Sequence, residues 1–447
     1  MNSLLELICD LADCADILVF DWSLHNDDGA KAMEIIASIL RQDESRSLGR
    51  LRLFAIYTGN PAIAKIPTTI KEHIERNLLI PLEQNPDGFV LSYGATRIVI
   101  LAKPEPTKIP SEYHHRIVEF DKLVESLTDE FTLMTAGLVS NVVVSAFSNI
   151  RKNTYRILNR FSNNLDSPYL SHRFMSPEPL DAESYITGLV AEELHALLEE
   201  ANVGEQAGLK SIRAWLRVQG FSGITLDASS NISPEDVLVI LEKGLQEFSG
   251  LSEDKKEKLE RRLHKLPLSE QFRSLVPGNA ESPDERFAHL TLMLSHYDGR
   301  VPVLTLGTIL KQLGVENPRY LVCVQPRCDC VRITGKQNFP FLPLTRNESR
   351  FDTILIDDDK YVRLLISRKP YDLVLIPFKP SGNDPGVVLA SRVNGECHFE
   401  DANTCPYEWM GTLRGDHALR LSNEFSSTIG RVGLDESEWL RRWAAKR

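Results

Sequence analysis

The sequence predicts an α/β domain at its N-terminal end, followed by a mainly helical middle region and an α+β C-terminal domain. Three observations carry the α/β part. Bare apolar runs at Ile17-Leu18-Val19-Phe20, Leu53-Phe54-Ala55-Ile56-Tyr57 and Ile98-Val99-Ile100-Leu101-Ala102 read as buried parallel strands. Stripes with helical spacing precede and separate them. Each run is closed by a different polar residue, in the order Asp21, Thr58 and Lys103, with Pro104 after the lysine. In open α/β sheets functional groups gather at the carboxyl ends of the strands, which is where these three residues fall.

Taken in order, Leu4, Leu5, Ile8 and Leu11 share a helix face and lead into the Asp21 strand, and Ala32, Ile35, Ile36, Ile39 and Leu40 form the next stripe. The Thr58 strand follows, then a helix near 68–79 and the Lys103 strand. Helix and strand alternating three times over residues 1–108 predict a parallel sheet with right-handed crossovers. Pro104, Pro106 and Pro110 make a stiff exit from it.

In the middle region, 109–300, Ile117, Phe120, Leu123, Val124, Leu127 and Phe131 give a stripe suited to an output or dimerisation helix. The apolar block 133–147 contains Thr135, Gly137, Ser140 and Asn141, so a buried packing helix is expected there and not a membrane span. Further helices are expected at 182–200, 209–218, 234–248, 254–265 and 283–296. The basic run Lys255, Lys256, Lys258, Arg261, Arg262, Lys265 is interleaved with acids and reads as a solvated helix face. From 301 to 447 the pattern turns to short strands, at 320–324, 353–356, 361–366, 373–377 and 387–393. The chain closes in helices, the last opening at a capping pair of Asp435 and Glu438.

At 447 residues two or three domains are expected. A formal charge of −11 argues against a general nucleic-acid or anionic-membrane binder. No apolar stretch approaches a membrane span and no signal-like start is present, so a cytoplasmic protein is expected. Seven cysteines without a secretory signal read as reduced thiols.

The three strand-end residues make chemical sense together. An aspartate can attack a phosphoryl group if the added charge is neutralised. A lysine on a neighbouring strand pairs with the phosphoryl oxygens, and a threonine hydroxyl senses their arrival. Singly, Asp21, Thr58 and Lys103 are ordinary loop residues; in this order they are the signature of a flavodoxin-like phosphoryl-accepting receiver. Asp27 and Asp28 read as charges at the start of the following helix.

Other constellations are weaker. Cys323, Cys328 and Cys330 have the spacing C-x4-C-x-C, with Cys397, His398 and Cys405 downstream. That spacing matches no standard zinc pattern, so buried reduced cysteines are expected, Cys328 and Cys330 sharing one face of an extended segment. His114-His115 read as solvated or capping, and His172-Arg173 as a hydrogen-bonding pair between helices. No Walker loop, nucleophile elbow or HExxH occurs, and no enzymatic activity is expected; a C-terminal site built on Arg327 and Cys328 would lack a base beside its nucleophile.

Phe20-Asp21-Trp22-Ser23-Leu24, Tyr57-Thr58-Gly59, Ala102-Lys103-Pro104, Ala136-Gly137-Leu138, residues 165–173, 323–329, 339–344 and 431–440 together give the chain its resemblance to a bacterial family of diverged response receivers, with a helical middle and a distinctive C-terminal region. Proteins that look like this occur in two-component systems of phage defence, the Detocs type among them. The resemblance implies a cognate histidine kinase as partner, a homodimer or a downstream effector protein, and Mg²⁺ held by Asp21 and the Ser23 carbonyl. It also implies a role as phosphate relay or phosphate buffer. A receiver's sheet normally begins with a strand ending in an acidic pair, and this sequence starts at what would be the second helix. Part of the metal site is therefore expected to be missing, either because the natural N-terminus lies upstream, the reading adopted, or because the receiver no longer takes phosphate and acts as an interaction scaffold.

Overall fold

The computed structural model describes residues 2–24, 27–45, 50–104, 109–176, 179, 181–227, 230–245, 252–263, 272, 275, 283–296, 300–381, 386–429 and 442–443. The expected caps at Asp435 and Glu438, the segment 431–440 and the ends of the helices expected to 248 and 265 lie outside them. The chain divides into two compact units, 1–271 and 272–447.

In the first unit, helix α1 (Asn2–Ala12) leads into strand β1 (Ile17–Phe20), then α2 (Ala30–Glu44), β2 (Arg52–Thr58), α3 (Ile66–Leu78), β3 (Glu83–Gln84), β4 (Val90–Tyr93) and β5 (Thr96–Ala102). The sheet order is β1-β2-β5-β4-β3. The three strands read from the sequence are parallel and adjacent, Phe20 beside Ile56 and Thr58 beside Ala102. The expected parallel sheet is thus present in β1, β2 and β5, and β4, antiparallel to β5 and carrying β3 on its outer side, extends it by a hairpin that was not read from the sequence. The turn at Asn85, Pro86, Asp87 and Gly88 makes this hairpin possible, Gly88 taking a positive φ of 83°.

Every residue of β2 is buried, because helices cover both faces of the sheet. Ile36, Ile39, Ile70 and Ile74 of α2 and α3 meet Phe54, Ile56, Ile98 and Ile100 on one face. On the other face Leu53, Ala55, Val99 and Leu101 meet Leu123 and Leu127 of helix α4 (Leu123–Thr135). The stripe expected to serve output or dimerisation therefore closes the sheet's second core, while Phe120 and Val124 stay exposed. A boundary at 108 separates the sheet from the helix that covers it.

The remaining helices of this unit are α5 (Leu138–Arg160), α6 (Asp166–Met175), α7 (Asp181–Glu200), α8 (Leu209–Val218), α9 (Pro234–Lys243) and α10 (Glu253–Leu263), with the hairpin β6 (Ile224–Asp227) and β7 (Ser230–Ile232) between α8 and α9. The block 133–147 is not one buried helix. Ala136 and Gly137 separate α4 from α5, no residue of α5 is fully buried, and Phe147 is 68% exposed. The physical reason is the chain break: Ala136 is extended, so the stripe of α4 is not continued by α5.

The second unit opens with α11 (Pro283–Leu292), which packs on a strand of the large sheet, so it belongs with the C-terminal fold although it precedes the expected boundary at 300. The strands are β8 (Thr308–Gln312), β9 (Tyr320–Cys323), β10 (Gln337–Arg346), β11 (Thr353–Asp357), β12 (Lys360–Ile366), β13 (Val374–Phe378), β14 (Ser391–Val393), β15 (Glu396–Glu400) and β16 (Pro406–Thr412). They form one antiparallel sheet in the order β11-β12-β10-β9-β8-β16-β15-β14, with β13 also paired to β10, and helix α12 (Gly415–Ile429) follows. One face packs Leu421 and Phe425 of α12 on Ile309, Val322 and Leu364; the other gathers Phe339, Phe341, Phe378 and Phe399.

Candidate functional site

The parallel register explains why three residues far apart in sequence meet. β1, β2 and β5 end side by side, so Asp21, Thr58 and Lys103 each occupy the first position beyond or the last position of its strand. The Thr58 hydroxyl donates to Asp21 Oδ1 at 3.0 Å, and the Lys103 ammonium pairs with Asp21 Oδ2. The Ser23 backbone N–H points at Asp21 Oδ1 from 3.4 Å. Lys103 is held by its own backbone, whose N–H donates to Thr58 O at 2.9 Å, and its ammonium lies 5.8 Å from the centre of the Tyr57 ring. Burial pushes the Asp21 carboxyl up, but hydrogen bonds from Lys103 and Thr58 outweigh it and hold the group below the ordinary carboxylate value.

Two features missed in the sequence fix this arrangement. Trp22 is buried and lies over Gly29, where any Cβ would sit 2.1 Å from the indole; Gly29 also takes a positive φ of 87° as the N-cap of α2. Asp28 accepts from the Trp22 indole N–H at 3.4 Å and Asp27 accepts from the Lys31 backbone N–H at 2.8 Å, so both acids tie down the loop and the start of α2. The second feature is Tyr57, whose hydroxyl donates to Val118 O at 2.8 Å and fastens β2 to the segment entering α4. A tryptophan next to the aspartate with Gly29 seven residues on is the sequence signal that could have found the first of them.

An open cleft of about 610 Å³ gives access to the carboxylate, lined by Val19, Phe20, Tyr57, Lys103, Pro104 and Phe120. β1 is the end strand of its sheet, and among the described residues nothing pairs with its outer edge. Val19 is 44% exposed there.

A carboxylate thus ends a parallel strand with an ammonium and a hydroxyl on it. In the comparison with known families, residues 2–108 match the response receiver domain. The N-terminal part of the chain is a receiver domain. No curated protein and no solved structure matches the chain. Receiver domains interact with kinases or effectors in general, and in general they bind Mg²⁺. In this receiver Asp21 and the Ser23 carbonyl would offer Mg²⁺ a single carboxylate and one backbone oxygen, and both Asp21 oxygens already accept from Lys103 and Thr58. Among the described residues no three His, Cys, Asp or Glu side chains cluster as a metal site, so the residues present do not by themselves fit the ion. Among the described residues no helix is long and apolar enough to cross a membrane.

The cysteine segment differs from its expectation. Arg327–Cys330 is a short 3-10 turn and not an extended segment, so Cys328 and Cys330 face opposite ways: Cys328 is exposed, Cys330 buried. His398 pairs with Glu396 at 3.2 Å. His114 bonds the Ile109 carbonyl at 3.1 Å, and His172 packs on Tyr185.

Proposed function

We propose that the protein is a non-enzymatic phosphoacceptor of a bacterial phosphorelay, taking phosphate from the phosphohistidine of a cognate histidine kinase onto Asp21. The observation that carries this reading is the engagement of the Asp21 carboxylate by Lys103 and Thr58 at the ends of three adjacent parallel strands. The carboxylate is ionised at neutral pH, as a nucleophile must be, and the cleft leaves it open to a donor. One Asp21 oxygen bonds to phosphorus as the phosphorus–nitrogen bond of the donor breaks, and the imidazole leaves with its electron pair. Lys103 then pairs with a phosphoryl oxygen in place of the carboxylate. Thr58 follows, and because its hydroxyl also accepts from the Asn60 N–H at 3.3 Å, the loop after β2 moves with it. No step is assigned to Mg²⁺. A receiver without an output enzyme suits a role as relay or phosphate buffer, and the resemblance favours anti-phage defence as its setting.

The two-ligand metal site favours one competing reading, a receiver-derived scaffold that docks its partner without being phosphorylated. Incubation of the full chain with the kinase and ATP, followed by mapping of hydroxylamine-sensitive phosphate, separates the two. Label on Asp21 that disappears in Asp21→Asn supports the acceptor; equal label in Asp21→Asn, or none in the wild type, overturns it.

A further inference from the structure

Helix α5 (Leu138–Arg160) leaves one side open to solvent, and that side is apolar. The helix packs on α7 and on the 3-10 segment Val203–Ala207, and Val142, Ala146, Ile150 and Ile157 are partly buried. By contrast Val139, Val143, Val144, Phe147, Tyr155 and Leu158 are all between 49% and 68% exposed. Steps of four residues join Val139, Val143 and Phe147, and steps of eleven join Val144 to Tyr155 and Phe147 to Leu158. Four residues make about one helical turn and eleven about three, so the six side chains share one side of α5. A contiguous apolar face left in water marks an interaction surface. The stripe of α4 is already used against the receiver's sheet, so α5 is the helix left for association.

We propose that this face pairs with the same face of a second copy of the chain, the two α5 helices running antiparallel and centred on residue 149. The charges on α5 argue for a second copy. The helix has no acidic residue, and Arg156 and Arg160 are engaged within the chain by Glu200 and Glu193 of α7. Arg151 is the one charge among the exposed apolar side chains, and among the described residues its guanidinium has no ion-pair or hydrogen-bond partner. In an antiparallel pair, positions equally far from residue 149 on either side come level with each other. Phe147 then stands level with Arg151 of the second copy, and Arg151 with Phe147 of the second copy, so two guanidinium groups each meet a ring. Val143 stands level with Tyr155 of the second copy and Val144 with Thr154, so the uncharged first half of each helix covers the second half of the other. A parallel pair would set Arg151 against Arg151 and bring both basic ends together. The antiparallel pair separates them and opposes the two helix dipoles.

The size of the face suits this occupant. α5 has 23 residues and is about 35 Å long at 1.5 Å per residue. A standard interface takes about 800 Å² from each partner. Two aromatic and four aliphatic side chains, each about half exposed or more, supply the apolar centre of such an area, and the polar residues beside them supply its rim.

The test is sedimentation velocity of the full chain across the micromolar range. A dimer is expected, its mass rising with concentration to twice that of the chain. Phe147→Lys sets an ammonium level with Arg151 of the second copy at two symmetric places, and is expected to weaken the dimer about tenfold or more. Phe147→Glu removes the same ring but sets a carboxylate level with that arginine, so it is expected to weaken the dimer several-fold less than Phe147→Lys. Position 147 is mostly exposed and both replacements are good helix formers, so the variants are expected to fold. A wild type that stays at one chain mass, a dimer indifferent to Phe147→Lys, or equal weakening by the two substitutions overturns the proposal. None of these outcomes depends on phosphate at Asp21.

Discussion

Arg52 lies flat against Asp43, its Nε 2.9 Å from Oδ2 and its Nη2 2.7 Å from Oδ1, with both side chains almost wholly out of solvent. The third guanidinium nitrogen donates to Ala12 O at 2.6 Å and also to Ala15 O. One side chain at the start of β2 thus joins the end of α2, the end of α1 and the turn that launches β1. Removing one partner of a buried, fully bonded pair leaves a charge without compensation and costs about 3–5 kcal/mol. Asp43→Ala is therefore expected to lower the thermal midpoint of the receiver unit by several degrees and to impair phosphate uptake with it. A midpoint unchanged in calorimetry would show that the pair does not hold the β1 turn.

Gly29 offers a second test of what positions Asp21. Gly29→Ala must place a methyl against the Trp22 ring and hold a non-glycine residue at φ 87°, a strain of about 1–3 kcal/mol before any clash. The indole has to move, and the loop carrying Asp21 moves with it. Slower phosphate uptake together with lowered stability is expected, the uptake measured as the rate of labelling from the same kinase by the folded variant. An unchanged rate would detach Trp22 from the site.

How much of this was legible depended on whether a residue's partner lay in its own segment. β2 and β5 were readable because a strand buried on both faces needs no polar residue, β1 was read the same way although it is a half-buried edge strand, and Asp21, Thr58 and Lys103 followed from them because parallel register brings strand ends together. β10 was hidden by Pro340 and Pro343, which argue against a central strand; Pro343 sits where the strand passes from pairing with β13 to pairing with β12. Arg52 carried no signal in the sequence because its carboxylate partner, Asp43, belongs to another element. The exposed face of α5 looked like core because apolar content does not say which side of a helix is covered.

Lys103 should control the charge state of Asp21. With the ammonium present the carboxyl lies below its usual value, so it stays ionised throughout the neutral range. In Lys103→Met the strongest opposing contact is gone and burial acts with less opposition, so the Asp21 carboxyl must rise. Side-chain carboxyl NMR should find the titration of Asp21 at higher pH in the variant than in the wild type. A titration that stays put would mean that Thr58 and the Ser23 N–H, not Lys103, set the charge.

The last prediction concerns the second unit, where Asp357 accepts from Lys311 Nζ at 2.5 Å and from the Tyr320 hydroxyl, which in turn accepts from Arg346 Nη2 at 2.8 Å. Burial raises the Asp357 carboxyl, but Lys311 and Tyr320 overcome it and the net shift is downward. A carboxyl lowered on folding contributes stability above its unfolded value, and that contribution is lost as the pH falls through the folded value. Lys311 is shifted upward, first against burial and then by Asp357, so its contribution is complete below its unfolded value and fades as the pH rises through the folded one. The network is therefore whole between about pH 4 and pH 10 and weakens on either side. Asp357→Asn should unfold at lower urea concentration than the wild type at pH 7, and the gap should narrow as the pH falls and the wild-type carboxyl takes up its proton. A gap that does not narrow on acidification would assign the loss to packing around residue 357 and not to its charge.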